Sequence, residues 1–296
     1  MNIDKINFKE NLSLDYMQDL AVIFASYQPN KTASDLLRIS LNSLKNTSLN
    51  QISVWIIDVG SPNHEHLVKK DEFPEFNFVY INYIPRSNLN LFKKLFQILV
   101  NGSIKREGSY INSWSIHFAL EYFKKKSYMP DYIFTSQTDV IFTEANSLQE
   151  LKKKFSLNKK LIAAGFRGQK NLGKNYDIIH SLGCMWDYKK FLHLKLNLYP
   201  DFPDYDVSEL AIVNSVKKGF EIFSYNNVRT DRSFDRYINN TKYSKLGNGV
   251  DICLNEKNEV VFLHLGRGVD KSIGNYKKEK AFQAKDWIEW YFSYFT

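Results

Sequence analysis

Residues Leu20–Ser61 read LAVIFASYQPNKTASDLLRISLNSLKNTSLNQISVWIIDVGS, and the order of apolar runs in this stretch decides the fold. Leu20–Ser26 is a short apolar run that ends at the loop Tyr27–Lys31, where Pro29 blocks continuation, so it reads as a buried strand. Ser34–Leu44 follows with Leu36, Leu37, Ile39, Leu41 and Leu44 on one broad helical face. A second strand, Ile52–Ile57, ends at Asp58 and a Gly-Ser turn. Strand, helix and strand in this order predict a parallel βαβ unit.

The same alternation extends outward. Phe78–Tyr83 alternates as a third strand, and Tyr110–Lys126 is a helix with Ile111, Trp114, Phe118 and Tyr122 at spacings of three and four. Pro130 stops it, and Tyr132–Thr135 leads as a strand into SQTDV. The expectation is an α/β fold with a Rossmann-like, mostly parallel central sheet flanked by helices. Right-handed crossovers put the loops that follow the strands on one edge, where ligands of open α/β sheets bind. Tyr27–Lys31, Asp58–Asn63 and Gln137–Asp139 collect there. Farther on, Leu161–Phe166, Ile178–Met185, Phe220–Ser224 and Val260–Leu265 read as strands, and Asp187–Leu196 and Asp206–Lys218 as helices, the latter stopped by Gly219. With no internal repeat and no low-complexity linker, residues 1–296 read as one domain.

Composition narrows the function classes. Of 296 residues 44% are hydrophobic and 24% charged, as expected of a well-folded globular chain, and 15% are aromatic, enough bulk for a large core. The net charge of +8 favours anionic partners. These are nucleic acid, an acidic membrane face or a phosphate-bearing small molecule, among which charge alone does not choose, though no arginine-rich stripe marks a nucleic-acid groove. Cys184 and Cys253 form neither a disulfide framework nor a metal spacing. The first residues lack a signal-peptide pattern, and no run approaches the roughly 18 apolar residues of a membrane span. A cytoplasmic protein is the expectation, with its aromatic tail Asp286–Thr296 packing on the core or a second subunit, or resting on the inner membrane face.

Four places hold residues suited to chemistry. Asp58 ends a strand, where a carboxylate accepts from a nucleobase N–H or a ribose hydroxyl, or simply organises a turn. Asp139, in SQTDVIF, is placed to bind Mg²⁺ or Mn²⁺ bridging a diphosphate, unless it too is a turn residue. In VVFLHLGRG, His264 runs into glycines that permit close approach and into Arg267, which suits phosphate; a lone histidine on an apolar strand is otherwise a core residue. Asp204, Asp206 and Glu209 crowd a helix start, where the dipole alone favours them, but one of them could deprotonate an acceptor hydroxyl.

In this order the pieces resemble the GT-A glycosyltransferases, in particular the large family-2-type inverting group. The resemblance runs over Ser26-Tyr27-Gln28-Pro29, Asp58-Val59-Gly60-Ser61, Gly108-Ser109-Tyr110-Ile111-Asn112, Gln137-Thr138-Asp139, Asp206 to Gly219 and His264-Leu265-Gly266-Arg267-Gly268, and spans roughly Leu20 to Gly268. Gln137 stands where the group's metal motif has its first aspartate, Val59 replaces a second acidic residue, and the acidic motif begins Tyr205-Asp206. The resemblance implies sugar transfer from a nucleotide diphosphate donor to a hydroxyl of a glycan or lipid-linked acceptor, with inversion. It implies a donor half over about 20–142, an acceptor half over about 143–270 and a helical tail after that. Tyr27, Asp58, Asn112, Thr138 and Arg267 would bind the donor, Asp139 and His264 a divalent cation (Mn²⁺ or Mg²⁺), and Trp186 and Gly183 the acceptor. Asp206 would be the base, with Glu209 and Asp204 as the alternatives.

Other readings compete. GQKNLGKN at Gly168–Asn175 nearly spells a phosphate loop, but Asn175 stands where Ser or Thr should meet Mg²⁺, and a strand-like segment follows; a mobile lysine-bearing loop near the active site fits better. His64-Glu65-His66 lacks the histidine spacing of a helical zinc site. A nucleotidyltransferase would carry a Gly-rich basic loop after the first strand, and Tyr27–Lys31 has no glycine. Gln137 keeps open a catalytically inactive sugar-binding relative.

Overall fold

The structure, a computed structural model, describes residues 1, 3–83, 107–166, 168–169, 178–180, 182–201, 204–247, 249–274 and 282–295. In chain order the strands are β1 (Phe8–Asn11), β2 (Leu20–Ser26), β3 (Ile52–Val59), β4 (Asn77–Ile81), β5 (Tyr132–Gln137), β6 (Val140–Phe142) and β7 (Leu161–Gly165). They continue as β8 (Gly168–Gln169), β9 (Ile178–Ile179), β10 (Cys184–Asp187), β11 (Glu221–Ser224), β12 (Asn226–Asn227), β13 (Asp251–Leu254) and β14 (Val260–His264). The α-helices are α1 (Lys31–Lys45), α2 (Glu107–Lys125), α3 (Ser147–Leu157), α4 (Tyr188–His193), α5 (Glu209–Lys217), α6 (Asp235–Ile238), α7 (Gly268–Ser272) and α8 (Ala284–Phe295).

Eight strands form the central sheet in the order β1-β4-β3-β2-β5-β10-β7-β11. β4, β3, β2 and β5 are mutually parallel, β7 pairs parallel with β11, and only β1 and β10 run against the rest. The α/β, mostly parallel architecture expected from the apolar alternation is therefore present. From β2 the chain winds out to β3 and β4, then returns to lay β5 on the other side of β2. This reversal of strand order opens a crevice at the carboxyl ends of β2 and β5.

The central strands are apolar throughout because both faces are covered. Every residue of β2 and β3 is buried. On one face Trp55 meets Phe123, Tyr122 and Tyr128 at ring-centroid distances of 4.8, 5.8 and 6.0 Å, which locks α2 onto the sheet. On the other face Leu37, Leu41 and Leu44 of α1 pack against Leu20, Val22 and Phe24. The Asn30 side chain caps α1 by accepting from Ala33 N, which starts the helix at Lys31, three residues before the expected Ser34.

A second sheet, antiparallel and unforeseen in the sequence, has the order β12-β13-β14-β6. Its β6 follows β5 after a two-residue turn, so the two sheets meet at Thr138-Asp139. The expected strand Ile178–Met185 is two strands, β9 and β10, parted at Gly183. That residue has φ +103°, and a Cβ on it would lie 3.1 Å from the Phe262 ring, so an extended path through it is closed. The aromatic tail forms α8, whose Trp287, Trp290 and Tyr291 are buried beside Leu36 and Ile39 of α1. Among the described residues no helix is long and apolar enough to cross a membrane.

Candidate functional site

The turn joining the two sheets is held from below by α1. Ser40 Oγ donates to Thr138 O at 2.8 Å and meets Val140 O at 2.7 Å, while Val140 N donates to it at 3.0 Å. Ser43 Oγ accepts from Phe142 N at 3.1 Å. Thr138 is buried and contributes its carbonyl to this clamp. A rigid helix thus fixes the position of Asp139.

β14 lies beside β6 with His264 opposite Val140, and β13 lies beside β14 with Asp251 opposite His264. This register assembles Asp251, His264, Gln137 and Asp139 into one row. His264 is 4% exposed. Its Nδ1 is 2.9 Å from Asp251 Oδ2, and its Nε2 is 3.0 Å from Gln137 Oε1 and 3.5 Å from Asp139 Oδ1. Asp139 Oδ2 accepts from Gly268 N at 2.9 Å. Burial pushes the Asp139 carboxyl up, but the His264 charge and hydrogen bond, the Gly268 N–H and Lys271 outweigh it and hold the group below the usual carboxylate range.

The loop after β14 is shaped for this contact. Gly266 and Arg267 both have left-handed φ, of 73° and 57°, which turns the chain back over Asp139. Gly268 is needed for close approach: a Cβ there would lie 2.6 Å from Asp139 Cβ and 2.9 Å from its Oδ2. Arg267 is exposed at this rim. Lys271 is nearly buried, donates to Leu265 O at 3.0 Å, and is pushed down by burial to about 8. Two cationic side chains, Arg267 at the N-cap of α7 and Lys271 within it, thus stand beside the Asp139–His264 pair.

Asp58 lies across the crevice at the end of β3, and burial pushes its carboxyl up. Its Oδ2 accepts from Ser26 Oγ at 2.8 Å, Gln28 Nε2 at 2.9 Å and Ser61 Oγ at 2.8 Å. Gln28 also accepts from Val68 N at 3.0 Å, so the carboxylate ties the loop after β2 to the loop after β3. Half-buried Tyr27 is carried on this fixed loop. Asn112 lies in the first turns of α2, which crosses back toward β5, placing its start at the same carboxyl edge; Tyr83, two residues beyond β4, meets Trp114 there at 5.6 Å.

The acidic motif is anchored to the same edge from two sides. Ser208 N and Ser113 Oγ both donate to Leu198 O, tying it to α2, and α5 packs on β9. His180, next after β9, has its ring 6.4 Å from that of His264. The helix opens at Glu209 and not at Asp206 because Glu209 Oε2 accepts from Asp206 N at 3.2 Å, which closes the turn before it. Asp206 Oδ1 accepts from Val207 N at 2.7 Å; Asp206 and Glu209 are half-exposed and Asp204 exposed. Ser208 stands in the left-handed region at φ 63°, fully buried, and its Oγ has no hydrogen-bond partner among the described residues.

Two expectations are corrected. Trp186 is 0% exposed with its ring edge-on to Phe191 inside the core, so it offers no face to a sugar. Gly183 donates to Thr135 O and accepts from Phe166 N, which makes it a strand-joining turn and not a wall of an acceptor site. Of the lysine-bearing loop, residues 170–175 lie outside the described residues, as does Pro203. His64 bonds Gln28 O at 3.0 Å through Nε2, a loop contact. Sequence reading missed Gln28, Ser40, Asp251, Lys271 and His180. Asp251 had a signal: it opens an apolar run separated from VVFLH by the polar turn Asn255–Glu259, and folding that hairpin sets it opposite His264.

Donors that share a hard cation at about 2.1 Å and right angles stand about 3 Å apart. His264 Nε2 stands 3.0 Å from Gln137 Oε1, which matches that spacing, and 3.5 Å from Asp139 Oδ1, which is somewhat wider. Gln137 Oε1 and Asp139 Oδ1 both turn an acceptor to His264 Nε2, so a proton on Nε2, or a cation in its place, satisfies the contact. Among the described residues no group of three or more His, Cys, Asp or Glu could hold a metal ion; Asp139 and His264 are the two such residues here, with Gln137 Oε1 beside them.

No protein-family model matches the sequence, and no curated protein matches it. Among solved structures, the chain is similar to the mannosyltransferase PcManGT from Pyrobaculum calidifontis, determined with GDP-Man and Mn²⁺, at 11% identity and a TM-score of 0.45, over 75% of this chain and 58% of that one. It is also similar to residues 1–349 of S. aureus TarS, at 9% identity and a TM-score of 0.35, over 61% of this chain and 50% of that one. A complex of the same TarS fragment with UDP-GlcNAc gives 9% identity and a TM-score of 0.35, over 61% of this chain and 48% of that one. The chain thus spans about half to three-fifths of the length of these structures. The likenesses are remote and assign no residue of this chain a role.

Proposed function

We propose that this protein transfers a sugar from a nucleotide diphosphate donor to a hydroxyl of a glycan or lipid-linked acceptor, with inversion. The observation that carries this reading is the meeting of Gln137, Asp139 and His264 beneath the Arg267–Lys271 loop, at the crevice where the strand order reverses. An acidic and imidazole donor set under two cations suits a pyrophosphate and its counter-ion.

Tyr27 and the loop fixed by Asp58 take the nucleoside, with Asn112 and the Thr138 turn beside it. Arg267 and Lys271 hold phosphate oxygens, Arg267 with the planar fork that suits them. A divalent cation held by Gln137, Asp139 and His264 would supply neutralisation of the charge that grows on the leaving diphosphate. Asp206 takes the proton from the acceptor hydroxyl as the oxygen attacks the anomeric carbon, and the bond to the diphosphate breaks on the opposite face. Glu209 and Asp204 are the alternatives for that base. Burial of the row from Asp251 to Asp139 strengthens these charge interactions by keeping water out.

A thermal-shift series with nucleoside diphosphates, with Mn²⁺ and with chelator, tests the donor site. A nucleotide at 100 times its Kd stabilises by about 2.7 kcal/mol, or about 4 °C in Tm for a chain of this size. Absence of any shift across the panel overturns the reading. Hydrolysis of a nucleotide sugar that survives Asp139→Ala and Asp206→Ala together overturns the site assignment.

A further inference from the structure

Asp251 is a wholly buried carboxylate far in sequence from the turn that carries Asp139, and none of the roles above uses it. Its Oδ1 accepts from Asn227 Nδ2 at 2.9 Å, and its Oδ2 receives Arg229 at 3.5 Å besides facing His264 Nδ1 at 2.9 Å. Asn227 is itself oriented, since its Oδ1 accepts from Arg229 N at 3.1 Å. A carboxylate that takes donors from two other groups has only lone pairs to offer the imidazole, so His264 Nδ1 carries a proton toward it. The opposite nitrogen, Nε2, is then the atom turned to Gln137 and Asp139.

We propose that Asp251 is a positioning residue that fixes the ring of His264 and its Nδ1 proton, so that the Nε2 lone pair is presented with Gln137 Oε1 and Asp139 Oδ1 to a divalent cation. Carboxylates behind ligating histidines set tautomer and ring angle in this way and raise the basicity of the ligand. The geometry here adds a specific consequence for replacing Asp251. Asn227 directs an N–H at Oδ1, so an asparagine at 251 keeps its oxygen there and turns its NH₂ toward His264. That NH₂ needs an acceptor at Nδ1, which drives the ring proton to Nε2 and blocks the cation-facing lone pair.

The inference rests on the cation-binding part of the proposed function and is tested apart from turnover. Free Mn²⁺, followed by its electron paramagnetic resonance signal, is titrated into the wild-type protein and Asp251→Asn. The expected result is a 10–100-fold weaker affinity in the variant, together with loss of the nitrogen coupling that the imidazole imposes on bound Mn²⁺. Affinities within about twofold, with the coupling retained, overturn the inference. Should Asp251→Asn fail to fold, the wild type decides alone: Zn²⁺ is added to ¹⁵N-histidine-labelled protein and the ring nitrogens of His264 are read by NMR. Metal on Nε2 with the proton on Nδ1 supports the inference, and metal on Nδ1 or no change at His264 overturns it. Stabilisation by a nucleoside diphosphate in chelator is scored separately, so failure of the metal inference is told apart from failure of the donor site.

Discussion

Gly268→Ala puts the contact between the late loop and Asp139 under direct strain. The added Cβ would stand 2.6 Å from Asp139 Cβ, 2.9 Å from Cγ and 2.9 Å from Oδ2, well inside van der Waals contact. Asp139 cannot swing aside cheaply, because its turn is clamped by Ser40 and its Oδ1 faces His264. Overpacking of a closed site costs about 1–3 kcal/mol, and weakening a charge-assisted hydrogen bond adds roughly 1–2 more. A loss of about 2–5 kcal/mol is expected. Urea unfolding reads it as a lower midpoint at unchanged slope. Gly108→Ala is the control, because a Cβ there meets nothing within 4 Å and Ala favours the helix, so that variant is neutral or up to about 1 kcal/mol more stable. A Gly268→Ala protein as stable as wild type, with unchanged Mn²⁺ affinity, would refute the close packing of loop on carboxylate from which the site is built.

Two buried aspartates should respond to pH in opposite senses. Burial raises the Asp58 carboxyl, so its contribution is largest below the unfolded value of about 4 and is lost as pH rises through the folded value; Asp58→Asn should therefore gain on wild type from acid to neutral pH. Asp139 is net lowered, so its contribution is present above about pH 4 and lost below it; Asp139→Asn should be destabilised at neutral pH and converge on wild type in acid. Unfolding free energies at pH 3 to 7 check both, and a common sign would count against the assigned environments. Lys271, pushed down to about 8, loses its charge as pH rises from 7 to 9, so nucleoside diphosphate affinity should fall over that range in the wild type. In Lys271→Met the affinity is lower at pH 7 and this step is absent; a step that persists there assigns the pH dependence elsewhere.

The fold was largely legible because its central strands announce themselves. LAVIFAS and ISVWIIDV are apolar on both faces, which only a covered parallel sheet satisfies, and Asn30 caps the helix between them. The antiparallel sheet was not legible, since β6 has three residues, β12 has two and β13 is a four-residue run without alternation. Pairing over a hundred residues of separation, as between β6 and β14, leaves no periodic mark in either segment. Trp186 misled for a related reason: a tryptophan beside an aspartate looks exposed until its strand is known to lie between β5 and β7.

That missing sheet explains why candidate residues could be picked out by motif but not assembled. Asp139 and His264 were visible as residues of a suitable kind, yet what joins them is the register of β6 with β14. The same register carries Asp251 in behind His264 on β13, one strand farther out. Strands β12, β13 and β14 therefore deliver Asn227, Asp251 and His264 to a single row, which the turn before β6 completes with Asp139. A row built across strands moves as a unit with the sheet that bears it. Slipping β14 by one residue would turn His264 to the opposite face and break its contacts with Asp251, Gln137 and Asp139 together. The Arg267–Lys271 loop would be displaced by the same slip, since Leu265 N donates to Asp139 O directly after the strand. The proposed cation donors, the buried Asp251 behind them and the segment that carries Arg267 and Lys271 are thus set by one pairing, and the proposed chemistry depends on the second sheet.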